Sequence, residues 1–291
     1  MNRMISFKRP VAVTAWASVV GKKEGDGPIG KGFDQACEDD YFGMETWEQA
    51  ETEMQRRAID CLLAKRRVKK EELALCLGGD LCNQITSTAY TMRELAAPFL
   101  GLYGACSTIA ESLLVGACMV DGGYAPNVLA LASSHFCTAE RQFRTPLDYG
   151  GKRTPTAQWT VTGCGTVFLE TEGKSAFITS GMVGSVVDYA IKDVNNMGAA
   201  MAPAAAQTIK EFLAASGTDS EDYDMIFTGD LGDCGTSLLK QLLNGEGINL
   251  NNHNDCGLII YDKNRQRVQS GASGCGCGAS VLCGHILNLL Q

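Results

Sequence analysis

Tyr103-Gly104-Ala105-Cys106-Ser107-Thr108 stands between a short apolar run and a long uncharged stretch. That order predicts a cysteine at the start of a helix. The positive end of the backbone dipole and the free N–H groups there lower a thiol's pKa and offer an oxyanion site. Gly104 permits a sharp turn and lets a ligand approach the main chain. A small residue packed between strand and helix would leave the same trace, and both readings stand at this point.

Ser133-Ser134-His135 follows the apolar run Asn127–Ala132. Ligands of open α/β sheets sit beyond the carboxyl ends of strands, which places these residues on the same rim as Cys106. His135 there orients a ligand, acts as base for Cys106, or is an internally satisfied polar residue. Arg141, Arg144, Lys152 and Arg153 come next, beside Glu140. They form either a candidate anion site, since guanidinium forks match carboxylates, or a solvated loop. Gly274-Cys275-Gly276-Cys277-Gly278 opens the last helix. With Cys283 and His285 along that helix, its spacing fits no usual zinc motif, and no metal site is expected. It reads instead as a second backbone donor site facing Cys106.

The elements that carry these residues alternate. A strand at Val11–Val20 precedes a Gly-rich loop, then a helix from about Trp47 to Arg67, whose Met54, Ala58, Cys61 and Leu62 recur at helical spacing. Strands follow at Leu73–Leu77, Asn127–Ala132 and Thr166–Glu170, with helices at Ser87–Leu95 and Ser107–Val120. The second half offers helices at Ala204–Ala215, Thr236–Asn244 and Ala279–Leu290, and strands at Tyr223–Phe227 and Gly257–Tyr261. Such alternation predicts α/β layers. Gly79-Asp80-Leu81 and Gly229-Asp230-Leu231 lie 150 positions apart, each after a helix, an acidic turn and an apolar strand. The chain therefore reads as two related halves, 1–172 and 173–291. The second half stops two strands short of the first, so the last C-terminal strands are expected to be missing.

Composition narrows the classes. The net charge of −8 argues against a nucleic-acid-binding surface. An apolar content of 45% excludes a disordered chain, and no run of mostly apolar residues is long enough to span a bilayer. Thirteen cysteines, an odd number spread along the chain, favour a reducing compartment. Arg3, Lys8 and Arg9 before the run Pro10–Gly21 imitate a leader peptide, but a first buried strand explains the run at least as well.

Cys106 at a helix start, a duplicated α/β half and a Gly-rich C-terminal loop together resemble the thiolase and ketoacyl-synthase fold, a five-layer α-β-α-β-α architecture. Within it the chain is similar to the stage V sporulation protein AD family. The resemblance runs through Ser133-Ser134-His135 with Thr138–Arg144, Tyr149-Gly150-Gly151, Thr160–Gly163, Met197-Gly198 with Ala200–Ala206, Thr228–Leu231 and His253–Leu258.

That resemblance implies noncatalytic binding of dipicolinic acid, as the free acid or as calcium dipicolinate. The setting is a spore channel that takes up dipicolinate during sporulation and releases it at germination. It implies no cofactor, partnership with other spore channel proteins, a homodimer, and a peripheral place at the spore or forespore inner membrane. Where a condensing relative carries a histidine, this chain reads Thr228–Gly232, with Cys275 at the second partner position. The expected ligand-binding set is Cys106, Ser107, Ser134, His135, Arg141, Arg144, Asp230 and Cys275. In it Arg141 and Arg144 pair with carboxylates, Ser134 or His135 faces the ring, and the N–H groups of Cys106 and Ser107 complete the anion site. The alternative is a degenerate acyl-thioester transferase or hydrolase that uses Cys106 with His135 as base. A structural subunit that only docks to membrane partners is a third reading.

Overall fold

The computed structural model describes residues 3–143, 153–174 and 176–290. Its first half is strand β1 (Met4–Gly21), a short helix α1 (Lys22–Gly25), β2 (Gln35–Cys37), α2 (Trp47–Arg66), β3 (Cys76–Gly79), α3 (Thr86–Leu95), β4 (Phe99–Gly101), α4 (Thr108–Asp121), β5 (Asn127–Ser134), α5 (Phe136–Phe143), β6 (Trp159–Thr160) and β7 (Gly163–Glu170). The remainder is β8 (Ala176–Met182), α6 (Met197–Ser216), β9 (Ile226–Thr228), α7 (Gly232–Gly245), β10 (His253–Asp255), α8 (Cys256–Ile259), α9 (Lys263–Gln266), β11 (Ala272–Ser273) and α10 (Cys275–Val281). One π-helical turn and one 3-10 turn continue α10 to Leu290.

The main sheet runs β2-β1-β7-β5-β3-β4, with β8 also paired to β1, so it extends past residue 172. β3 is parallel to both β4 and β5, while β7 is antiparallel to β5 and β1. Side chains alternate as a pleat requires. In β7, Val167 and Leu169 face one layer and Phe168 the other. β1 breaks its own alternation. A bulge between Val13 and Ala15 puts Trp16 on the side of Val11 and Val13 and turns Ala15 and Ala17 to the opposite side. Helix α2 covers the second of these faces and α4 the first. Thr46 starts α2 with a capping box to Gln49, and Arg67 ends it in the left-handed region.

The two halves share their opening order. α2 and α6 are each 20 residues long, and each leads through a three-residue 3-10 turn into β3 or β9. β3 then pairs in parallel with β4, as β9 does with β10. The expected strand Gly257–Tyr261 is instead helix α8 and its exit, and the strand lies just before it, at β10. A short apolar run does not distinguish strand from buried helix by period. Here Gly257 turns the chain inward, where a Cβ would stand 2.7 Å from the Ala272 carbonyl oxygen and 3.3 Å from the Asp230 Cα. β3 also begins later than the apolar run that announced it.

Helix α10 is the best-enclosed helix around the site: six of its seven residues are buried, and it lies directly on β5 and β7. The approach is possible because glycines line it. A Cβ on Gly165 would overlap the Ala279 carbonyl, and one on Gly276 would overlap the Gly163 carbonyl. Gly165→Ala is therefore expected to cost about 3 kcal/mol or to abolish cooperative unfolding, as overpacked cores do. Gly245→Ala at the open end of α7, where no atom lies within 4 Å of the added carbon, should be neutral or stabilise by about 0.5 kcal/mol. Urea midpoints of the two variants check the contrast.

Candidate functional site

β4 delivers the chain to Gly104, and a 3-10 turn at Ala105–Ser107 leads into α4. The left-handed residue of this turn is Ala105, at φ 48°, whereas Gly104 has φ −106°. Gly104 is thus required for space: a Cβ there would stand 2.5 Å from Ser107 Oγ and 2.8 Å from Glu111 Oε2. An alanine in the left-handed region carries strain, which persists because the surrounding bonds determine it. Thr108 Oγ1 donates to the Ala105 carbonyl (2.8 Å) and accepts the Gly104 N–H (3.1 Å). Ser107 turns both its N–H (3.1 Å) and its hydroxyl (2.8 Å) back to the Gly104 carbonyl. Its N–H is therefore spent within the turn and does not complete an anion site.

Asp230 faces Cys106. It follows β9 in the buried loop before α7; its carboxylate accepts the Gly274 N–H (3.0 Å), and its charge acts on the Cys106 thiol. Burial pushes this carboxyl up to about 6, with the thiol and the Gly274 N–H pulling the other way. Burial also pushes the Cys106 thiol well above its ordinary range, and the Asp230 charge pushes it further. The expected lowering at a helix start is thereby reversed, since desolvation and a facing carboxylate both penalise the thiolate.

Asp255 on β10 holds the loop in place. Its Oδ2 accepts from Leu231 N–H (2.9 Å) and the Thr228 hydroxyl (2.6 Å), and its Oδ1 accepts from Gly232 N–H (3.0 Å). Because Thr228 donates to Asp255, it must accept from His253 Nε2 (2.9 Å), which fixes that tautomer and leaves Nδ1 buried without a partner. Burial lowers His253 to about 4.

Cys275 and Ser134 close the cluster from the other side. The Cys275 thiol donates to the Ser133 carbonyl (2.7 Å), while the Ser134 hydroxyl donates to the Val161 carbonyl (2.7 Å) and accepts the Gly276 N–H (3.1 Å). The structure thus brings together Cys106, Ser134, Asp230 and Cys275 around the entrance of α10.

It does not bring His135 to Cys106. His135 is buried, Nε2 donates to the Asp40 carbonyl (2.8 Å), and Nδ1 accepts the Cys137 N–H (3.2 Å). Both nitrogens are occupied and burial lowers the pKa, so the role of base for Cys106 is not supported. Arg141 is half-exposed, ion-paired to Glu48 and stacked 5.7 Å from the Trp47 ring, on the α2 side of the molecule. Its expected pairing with a ligand carboxylate therefore has a protein carboxylate in the way. Arg144 lies outside the described residues.

The cation tied to this cluster is Arg153. It donates to the Gln158 carbonyl (2.8 Å), and Gln158 Nε2 in turn donates to the carbonyls of Asp230 (2.6 Å) and Ala272 (2.8 Å). Its guanidinium lies 4.7 Å from the Trp159 centroid and 5.3 Å from that of Phe136, and it pairs with Glu140 at 2.8 Å. Its only trace in sequence was membership of the cation run. Gln158 had no signal of its own, Asp255 appeared only within the family resemblance, and Gly274 opened the Gly-rich run read as a backbone donor site. Among the described residues, no group of three or more His, Cys, Asp or Glu side chains is arranged to hold a metal ion.

A family model described as Stage V sporulation protein AD matches residues 1–291. Stage V sporulation protein AD of Bacillus subtilis is 42% identical over 286 residues, spanning 98% of this chain and 84% of that protein. Among solved structures, cerulenin-bound OleA of Xanthomonas campestris superposes with a TM-score of 0.64 at 12% identity, covering 98% of this chain and 90% of that one. The 3-oxoacyl-(acyl carrier protein) synthase III of Pseudomonas aeruginosa does so at 0.57 and 12%, covering 97% and 91%. The fold is thiolase-like; at such identities the likeness speaks for the fold alone.

At neutral pH, Cys106 should react with iodoacetamide no faster than a thiol of the denatured chain. Asp230→Asn keeps an acceptor for Gly274 but removes the charge, and the rate should rise by up to about tenfold for each unit the thiol pKa falls. Peptide-resolved mass spectrometry reads both rates, and a wild-type Cys106 faster than the denatured thiols would contradict the assignment.

Proposed function

The chain belongs to the stage V sporulation protein AD family, and from that premise we propose that it binds dipicolinate without transforming it, as a component of the spore dipicolinate channel. The observation that carries this reading is the Asp230 charge acting on the Cys106 thiol. Acyl transfer needs a thiolate or a base that makes one. Here the group facing the thiol stabilises its protonated form, and His135 is engaged elsewhere.

A pyridine dicarboxylate presents two carboxylates and a ring nitrogen on one edge. The bare dianion would meet the Asp230 charge in a poorly solvated cleft. The calcium chelate is neutral overall and presents its metal ion, for which an ionised Asp230 is a hard oxygen ligand. We therefore assign the chelate as the preferred ligand, held at the entrance of α10 by Asp230 and the polar groups around Gly274. Arg153, paired with Glu140 as Arg141 is with Glu48, is a cation that this hydrogen-bond network ties to Asp230.

No helix among the described residues is long and apolar enough to cross a membrane. Residence at the spore inner membrane would accordingly rest on partner proteins of the channel. β4 offers an unpaired edge at the end of the main sheet, with Leu100 and Tyr103 exposed beside it. A second copy pairing there would give the homodimer and cover an edge that is otherwise a liability.

The reading is tested by thermal unfolding across a dipicolinate titration, with and without calcium, against phthalate. Dipicolinate should raise the transition, more so with calcium, by about 2.7 kcal/mol at a hundredfold excess over the dissociation constant. Phthalate should not. Asp230→Asn should remove the calcium-dependent part. An unshifted transition in a cooperatively unfolding chain would overturn ligand binding and favour a docking subunit.

A further inference from the structure

Beside the ligand cleft, and outside it, lies a fully buried polar cluster formed by Glu51 and Gln55 of α2, Asp80 and Cys82 after β3, Ser87 and Thr88 of α3, Ser133 of β5 and Thr138 of α5. It holds two carboxylates, and among the described residues no cation bonds to either. We propose that Glu51 keeps its proton at neutral pH, as a carboxylic acid beside an ionised Asp80, and that this proton positions the end of β5 against which the entrance of α10 rests.

The hydrogen-bond directions decide which carboxyl carries the proton. Asp80 is held by donors that cannot turn round. The Cys82 N–H reaches Oδ1 (2.7 Å) and the Thr88 N–H reaches Oδ2 (2.7 Å), joined there by the Thr88 hydroxyl (2.5 Å). Gln55 Nε2 donates to that hydroxyl (3.0 Å), which fixes its hydrogen toward Asp80. Burial raises the Asp80 carboxyl, and these three fixed donors pull it back toward the anion.

Glu51 has no backbone donor. At Oε1 its partner is the Ser133 hydroxyl (2.7 Å), whose hydrogen Gln55 Nε2 fixes by donating to it (2.7 Å); at Oε2 its partners are the Thr138 hydroxyl (3.0 Å) and the Cys82 thiol (3.5 Å), both of which rotate. The Thr138 hydroxyl has a second acceptor in the His135 carbonyl at 3.0 Å. A proton on Glu51 Oε2 can thus donate to Thr138, whose own hydrogen turns to His135, and every group stays satisfied. The cluster is otherwise rich in acceptors, for Gln55 Oε1 is buried without a donor. One added proton relieves that excess.

The titratable groups facing Glu51 are Asp80, Cys82, Cys164 of β7 and Cys275 of α10, none of them cationic. Burial, and then the Asp80 charge, push Glu51 up to about 8. Ser133 links this proton to the cleft: its hydroxyl binds Glu51 while its carbonyl accepts the Cys275 thiol. Deprotonation would place a second charge beside Asp80 and push against the strand end that holds α10.

The sign of the pH effect follows. A carboxyl raised in the folded state stabilises fully below its unfolded value, near 4.5, and that stability is lost as pH rises through about 8. Urea midpoints of the full chain are measured from about pH 6 to about pH 9 for wild type, Glu51→Gln and Asp80→Asn. Glu51→Gln, isosteric with the acid, should decline less than wild type across this range. The raised carboxyls Glu24, Asp230 and Asp255 are present in both and cancel in the comparison, while Asp80, which faces Glu51, is followed by its own variant. Asp80→Asn should be destabilised throughout, because an amide turns its own N–H groups on fixed donors. Alkylation of Cys275 should be equal in wild type and Glu51→Gln at the low end and several-fold faster in wild type at the high end. A wild-type pH slope in Glu51→Gln, or Asp80→Asn folding where Glu51→Gln does not, would overturn the proposal. No arm uses dipicolinate, so the outcome is independent of the ligand reading.

Discussion

Everything at the site depends on how closely helix α10 lies against β5 and β7. Facing glycines at 163, 165 and 276 remove side-chain volume from the contact, so the main chain of the helix comes down onto the main chain of the sheet. Interiors pack to near-crystalline density, and a contact built on backbone has little room to slide. The Gly274 N–H is therefore held at Asp230 and the Cys275 thiol at the Ser133 carbonyl as one unit. The first half contributes Cys106 and the serines, and the second contributes Asp230 and the helix. These residues meet because this approach locks the two halves together.

The internal repeat accounts for a second regularity. Asp80 and Asp230 occupy the same place in the two halves, just beyond β3 and β9, and both are fully desolvated. Their surroundings have diverged. Asp80 is enclosed by donors from its own half, the Cys82 and Thr88 N–H groups, and has become part of the scaffold. Asp230 takes its partners from elsewhere, the Gly274 N–H and the Cys106 thiol, and so lies where distant parts of the chain meet. One ancestral strand-end carboxylate serves two purposes.

Much of this was legible before any coordinates. Helix α2 announced itself by period and α4 by its long uncharged stretch, and β1 and β5 by continuous apolar runs. Asp230 and Cys275 were reached only through the resemblance, and Cys106 through its place between strand and helix. What stayed hidden was set by tertiary contacts. The left-handed residue at Ala105 defies local preference, because Thr108 and Ser107 over-determine the turn. His135 was misjudged because its partner, the Asp40 carbonyl, is a backbone group 95 positions away. Arg141 resembled a ligand cation only while Glu48 and Trp47 were unplaced. Glu51 looks in sequence like one more charge on the solvent face of α2, and only the fold turns it inward.

The thirteen free cysteines carry a consequence of their own. Burial raises the thiols of Cys76, Cys82, Cys164, Cys256, Cys275, Cys277 and Cys283, and even the more accessible Cys137 is pushed up to about 11. Peroxides and electrophiles attack the thiolate, so each of these sulfurs is a slow target. The fold thus acts as a preservative for its own sulfurs, and the pace of their oxidation is set by how rarely the interior opens.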